Sequence, residues 1–360
     1  MPPASTPRSS PTGGASTSGV RAVVYSRGGD PSVLQLIERP VGEPGTGEVR
    51  IRIAVSGVNP TDWKSRSASG RNPMEPTVPN HDGAGVVDDV GPGVTGFEVG
   101  DRVWVTLAGD GRPAGGTAQE FTVVPAERVF PLPKSASFDL GASVGIPAAT
   151  AHRALTVAED GPPQLRPGAL AGKNILVAGG AGAVGNAAIQ LARWAGASVT
   201  ATVSGDAKAT LATAAGAHHI VNYREPSAAE EIRRLAPAGV DIVVEVAAGA
   251  NAELDLAVLR PRGTISIYAT EGDTPFGPDI WGAMRGNARY QFVLLYTVGW
   301  DRIAIAASAI NHAIRDGALS VGEQAGLPIH RFTLEETAAA HAAVENRTVG
   351  KVLITPSPRN

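Results

Sequence analysis

What this chain can fold into is constrained most tightly by one segment, Ile175 to Gly185, where a short apolar run ends in closely spaced glycines and opens a helix-forming stretch. Gly180, Gly182 and Gly185 carry the G-x-G-x-x-G spacing. In that arrangement the first glycine permits a tight turn, the second lets backbone N–H groups approach a pyrophosphate, and the third lets the helix pack closely on the sheet. The helix N-terminus contributes partial positive charge. Gly180, Ala181, Gly182, Ala183, Val184 and Gly185 are therefore candidate dinucleotide-binding residues. A chance match is the competing reading in a chain with 44 glycines. The complete strand, loop, helix and strand context argues against it.

Around this segment the hydrophobic pattern alternates. Strands are predicted at 174–178, 198–203, 219–222, 240–246 and 264–269, with a last one at 290–296, and helices at 183–195, 207–215, 228–235 and 252–259. Such alternation builds a parallel sheet covered by helices, a Rossmann-type domain. The chain before it differs: short β-like runs at 21–26, 48–58, 83–90, 102–105 and 121–124, separated by Gly and Pro, read as a β-rich domain. After a helix at 302–316 come a further short helix and a β-like run at 351–355, which is expected to return to the first domain. The fold class is thus α/β, a Rossmann dinucleotide-binding domain (146–319) beside a β-rich domain (21–145 and 320–360). Residues 1–20, rich in Pro, Ser, Thr and Gly, are expected to be a flexible tail. A length of 360 residues suits two domains.

The net charge of −3 and the charged fraction of 18% offer no footing for nucleic acid or an anionic membrane. There is no run of about eighteen apolar residues to span a membrane, and the N-terminal residues lack the apolar middle of a signal peptide. A cytoplasmic protein is expected. Cysteine is absent, which removes disulfides and the thiolate ligands that structural and many catalytic zinc sites use.

The end of the second Rossmann strand sets the choice of nicotinamide cofactor, because an acidic residue there accepts from the ribose 2′-OH of NAD. This chain has Ser204 at that point and Lys208 four residues on. A serine hydroxyl donates to a 2′-phosphate and a lysine neutralises it, whereas a carboxylate repels it. NADP(H) is the expected cofactor. Asp206 dissents, although it also suits the first turn of the following helix. A solvated surface residue is the plain alternative for Lys208.

Three more motifs stand in order: Gly57-Val58-Asn59-Pro60-Thr61-Asp62-Trp63-Lys64, Pro79-Asn80-His81-Asp82-Gly83-Ala84-Gly85, and Gly96-Phe97-Glu98-Val99-Gly100-Asp101. With the glycine loop and the ending Gly350-Lys351-Val352-Leu353, they resemble the medium-chain dehydrogenase/reductase superfamily, in particular its zinc-independent quinone oxidoreductase branch, which includes zeta-crystallin. The resemblance spans 21–354 and implies that the β-rich domain is GroES-like and catalytic. In zinc alcohol dehydrogenases of this superfamily the metal is held by a Cys where Asn59 stands, a His in a Gly-His-Glu motif, and another Cys near the start of the nucleotide domain. Asn59 and Ile146 offer no such ligands, and His81 with Asp82 keeps only part of the set, so no metal is expected.

The resemblance further implies that Asn59 and Asp62 lie near the nicotinamide, that Ser204, Lys208 and Tyr223 surround the 2′-phosphate, and that Arg347 reaches the cofactor from the other domain. A turn residue before Pro60 is the alternative for Asn59. Many relatives carry a Tyr shortly after the Asn and Asp, where this chain has Trp63 and Lys64. Lys64 is a candidate to polarise a carbonyl, or else an exposed loop lysine.

These readings predict NADPH-dependent hydride transfer to a quinone or activated enone without zinc, the protein supplying orientation and hydrogen bonds to the developing oxyanion. The alternatives are a biosynthetic reductase of enoyl-thioesters or enones and a non-catalytic NADPH-binding sensor. Relatives often dimerise by pairing edge strands of their nucleotide domains, and the β-prone segment 290–296 is either such a homodimer edge or a buried core strand. Loops 108–116 and 271–284 are expected to frame the substrate or merely to connect strands.

Overall fold

The computed structural model describes residues 19–68, 73–271 and 274–357. The expected tail lies outside them up to residue 18, as do residues 272 and 273 of the loop 271–284.

The N-terminal half is built from β1 (Val20–Val24), β2 (Gln35–Arg39), β3 (Glu48–Val58), the short helix α1 (Pro60–Ser67), β4 (Asp82–Val90), β5 (Arg102–Val105), β6 (Phe121–Pro125) and β7 (Val129–Pro131). Alternation drives these strands: in β3, Val49, Ile51, Ile53 and Val55 are buried while Arg52 faces water. The helix α2 (Phe138–Thr156) leads into β8 (Asn174–Ala178), α3 (Ala183–Trp194), β9 (Ser198–Val203), α4 (Asp206–Ala214), β10 (His219–Asn222), α5 (Ala228–Leu235), β11 (Val240–Glu245), α6 (Ala248–Val258), β12 (Leu259–Ile267), α7 (Ile280–Gly286) and β13 (Arg289–Phe292). Helix α8 (Trp300–Arg315), β14 (Ile329–Thr333), α9 (Thr337–Glu345) and β15 (Lys351–Thr355) complete the described chain.

The architecture is the expected α/β one. The six-stranded sheet is parallel, with order β10-β9-β8-β11-β12-β13. Its order reverses between β8 and β11, where such sheets open a ligand crevice beyond the carboxyl ends of their strands. The other sheet is seven-stranded, β14-β15-β3-β4-β5-β7 with β6 also on β3. β15 returns to pair antiparallel with β3, Val352 opposite Val58.

Helix α2 is absent from the sequence-based prediction; Gly141, Gly145 and Pro147 lie inside it, residues whose local propensity opposes a helix. It lies against β4 and β5 on one side and against α3 and α8 on the other. One apolar cluster accordingly runs from Trp104 and Leu107 through Ala148 and Leu155 to Ile175, Val177 and Ile310. The segment 290–296 is an edge strand only as far as Phe292, after which Leu295–Thr297 form a single turn of 3-10 helix with Leu295 buried. Among the described residues no helix is long and apolar enough to cross a membrane.

Candidate active site

The glycine loop sits where β8 ends and α3 begins, at the reversal in strand order. Gly185 is required there by packing, since a Cβ on it would lie 2.4 Å from the carbonyl oxygen of Gly179. Gly182 is the exposed N-cap of α3 and supplies no side-chain cap. The first helix-stabilising bond at this end runs from Asn186 N–H to Gly182 O, at 2.8 Å. That leaves the N–H groups of Ala183, Val184 and Gly185 as first-turn donors at a helix N-terminus, the geometry that suits a pyrophosphate. Gly180 and Ala181 are buried beneath this turn.

The carboxyl ends of β9 and β10 bring three predicted residues together. Tyr223 N–H donates to Val203 O at 3.1 Å, which holds the Tyr223 backbone at the end of β9, next to Ser204, with its side chain half-exposed. Lys208, in the first turn of α4, is exposed on the same rim. A hydroxyl, an ammonium and a phenol here fit a 2′-phosphate, with Asp206 also exposed at the start of α4.

Across the crevice the second group is buried. Asn59 caps α1, but its carboxamide does not cap the helix; instead the Asn59 backbone N–H is taken by Asp62 Oδ2 at 2.6 Å. An asparagine at such a position ordinarily uses its side chain on the first-turn N–H groups. Here Asn59 Nδ2 donates to Asp82 Oδ2 at 2.8 Å and Asn59 Oδ1 accepts from Lys351 Nζ at 2.6 Å. Asp82 also accepts from Thr106 Oγ1 at 3.0 Å and from the Ile146 N–H at 2.9 and 3.0 Å. The approach of α2 that delivers this N–H depends on Gly145, whose added Cβ would lie 2.2 Å from Asp82 Oδ1.

Asn59, Asp62, Asp82 and Lys351 are all at most 3% exposed. Burial pushes the Asp62 carboxyl up to about 8, and the Asp82 charge adds to the effect. Burial also raises the Asp82 carboxyl, against the opposing pull of the Lys351 charge and of the hydrogen bonds from Asn59, Ile146 and Thr106. The Lys351 ammonium is pulled below its ordinary value by burial and held up by Asp82 and Asp62. The buried Asp62 Oδ1 lies 3.9 Å from His81 Nε2. The His81 ring packs edge-on against Tyr296 at 5.5 Å, and the Tyr296 hydroxyl meets Thr61 Oγ1 at 2.7 Å.

Lys64 and Arg347 are not part of this cluster. Both turn to Glu271, Lys64 Nζ at 3.0 Å and Arg347 at 3.9 Å, at the exposed mouth between the two halves.

This donor set does not fit a catalytic zinc ion. Both ends of Asn59 are engaged, Asp82 is enclosed by donors, and among the described residues no three His, Cys, Asp or Glu side chains come together as a metal site.

Two family models match the chain: an alcohol dehydrogenase GroES-like domain over 45–134 and a zinc-binding dehydrogenase domain over 183–302. The quinone oxidoreductase of Lama guanicoe is 30% identical over 342 residues, covering 93% of this chain and 97% of that protein. The chain belongs to the quinone oxidoreductase branch of the medium-chain dehydrogenase/reductase superfamily. The 2-haloacrylate reductase of a Burkholderia species is 32% identical over 349 residues, covering 93% of this chain and 98% of the relative. The Escherichia coli quinone oxidoreductase, solved in complex with NADPH, superposes with a TM-score of 0.77 at 25% identity, covering 93% of this chain and all of that one.

Membership in the quinone oxidoreductase branch makes the chain an oxidoreductase and gives the buried cluster a context that residue patterns alone did not supply. Sequence reasoning read His81 as lining or supporting the cleft but passed over Asp82, Lys351, Tyr296 and Glu271 as site residues. Lys351 stands in a motif that was legible, Gly350-Lys351-Val352-Leu353, but nothing in that motif announces a partner 292 positions away.

Proposed function

We propose that this quinone oxidoreductase homologue reduces a quinone or an activated enone with NADPH, without zinc. The observation that carries the reading is the Asn59–Lys351–Asp82 network, a buried and desolvated hydrogen-bonded set. NADPH, when bound, supplies the hydride. The first turn of α3 receives its pyrophosphate, and Ser204, Lys208 and Tyr223 receive its 2′-phosphate, while Arg347 approaches from the other half. One Asn59 Nδ2 hydrogen is committed to Asp82, and the other has no acceptor among the described residues, so it is available to an acceptor oxygen as negative charge develops there. Asp62 orients Asn59 through the backbone N–H and stores a proton beside His81. Lys64 is held at the mouth by Glu271 and acts on a carbonyl only if that pair opens.

The similarity to a 2-haloacrylate reductase supports a conjugated C=C acceptor, an enone or enoyl-thioester, as the second reading. Both are tested by following NADPH absorbance with a panel of quinones, enones and enoyl-thioesters, beside NADH and with a chelator control. Chelator-resistant turnover that prefers NADPH supports the proposal, and the acceptor ranking separates the two readings. Tight NADPH binding without turnover by any acceptor refutes both and favours a sensor.

The same reading takes the protein to be a cytoplasmic homodimer. β13 is a free sheet edge with Phe292 63% and Leu294 56% exposed, and exposed Ile280, Trp281 and Met284 of α7 extend the apolar surface. A monomer by sedimentation at micromolar concentration would overturn the dimer.

A further inference from the structure

We infer that Lys351 is a positioning residue that fixes which end of the Asn59 carboxamide faces the acceptor. The inference rests on the reading of Asn59 as a donor to the acceptor oxygen, and it assigns the buried lysine a part in that step.

An amide's oxygen and nitrogen have nearly the same shape, so its orientation is decided by its partners. Lys351 Nζ lies 2.6 Å from Asn59 Oδ1 and 3.2 Å from Val58 O, and an ammonium can only donate. On the opposite side Asp82 Oδ2 lies 2.8 Å from Asn59 Nδ2. Asp82 is surrounded by donors, the Ile146 N–H and Thr106 Oγ1, and so serves Asn59 only as an acceptor. Rotating the carboxamide by half a turn would set N–H against ammonium and C=O against carboxylate. Two charge-assisted hydrogen bonds would be exchanged for two repulsive contacts. The lock leaves one Nδ2 hydrogen as the polar group Asn59 can present, and a flipped amide would present a carbonyl lone pair to a developing oxyanion instead.

The fold is arranged to hold this lysine in place. β15 pairs with β3 so that Val352 faces Val58, setting Lys351 beside the turn into α1. The lysine stem runs under Gly57, where an added Cβ would come within 3.3 Å of Lys351 Cε. Lys351 is 1% exposed. Burying an ammonium is costly unless its partners use it, and an apolar side chain would fill the same space without that cost.

The test is a double-mutant cycle on the full-length protein with NADPH and an acceptor that turns over: wild type, Asn59→Ala, Lys351→Met and the double variant. Lys351→Met is expected to lower kcat about tenfold or more while NADPH affinity and acceptor KM change less than about threefold. The double variant should be no more than about twofold slower than Asn59→Ala, because the lysine acts through the asparagine. Lys351→Arg, which keeps a donor-only group, should recover part of kcat. A Lys351→Met kcat within about twofold of wild type, or effects that multiply in the double variant, overturns the inference and leaves the Asn59 reading standing. An Asn59→Ala enzyme with unchanged kcat, or a wild type without turnover, overturns both. Should Lys351→Met fail to fold by circular dichroism, Lys351→Gln, a neutral side chain that can accept as well as donate, enters the same cycle with the same expected losses and the same overturning results.

Discussion

The two halves of the site solve opposite problems. Around Asn59 most polar atoms are paired within the fold, in a cluster that water barely reaches, and one Asn59 Nδ2 hydrogen is left over. Around Gly182, Ser204 and Lys208 the groups are exposed or half-exposed, with first-turn N–H groups that no side chain caps. The buried cluster is built by folding; the open rim is where the proposed cofactor would bind. A substitution in the first should therefore be felt by the folded state itself, and one in the second mainly by the cofactor.

The sharpest way to break this contrast is Asp82→Ala. It removes the acceptor for Asn59, Thr106 and Ile146 and the negative charge that supports the buried Lys351 across Asn59, and leaving a buried charge uncompensated costs about 3–5 kcal/mol. Denaturant unfolding should show that loss, and a change below about 1 kcal/mol would mean the cluster is not a structural unit. Next in size is Ser204→Asp on the open rim. It should lower kcat/KM for NADPH relative to NADH by about ten- to a hundredfold through repulsion of the 2′-phosphate, with stability changed by no more than about 0.5 kcal/mol. An unchanged NADPH to NADH ratio would remove Ser204 from the cofactor site.

A third test sharpens the comparison through pH. The Asp62 carboxyl is raised in the folded state from its ordinary 3.8 to about 8, so folding favours its protonated form. The stability this contributes is complete below the unfolded pKa, declines as pH rises between the two values, and is gone above the folded one. Asp62→Asn should therefore show a shallower fall in unfolding free energy than the wild type between about pH 4 and 8. Parallel curves for the two proteins would mean that Asp62 is already ionised at neutral pH.

Much of the fold was legible because its signals are local. The alternating run of β3, the short apolar runs of β8, β9 and β11, the helical period of α3, and the glycines of 180–185 can each be read within one window of chain. The bounds of β3, β8, β9 and β10 match the prediction residue for residue. Helix α2 was hidden because its glycines serve long-range packing: Gly145 yields space to Asp82, which lies on another strand. Local propensity counts the cost of a glycine in a helix and cannot see the contact that makes it necessary.

The sequence by itself determined the architecture, the dinucleotide loop and the residue types at the rim, because backbone geometry and side-chain periodicity are properties of neighbours along the chain. Only the tertiary structure decided that Asn59 lies between Lys351 and Asp82, that burial pushes the Asp62 carboxyl upward, and that Lys64 and Arg347 meet at Glu271. Desolvation and charge pairing depend on what folding brings within a few ångströms, and those partners come from strands and loops far apart in the chain.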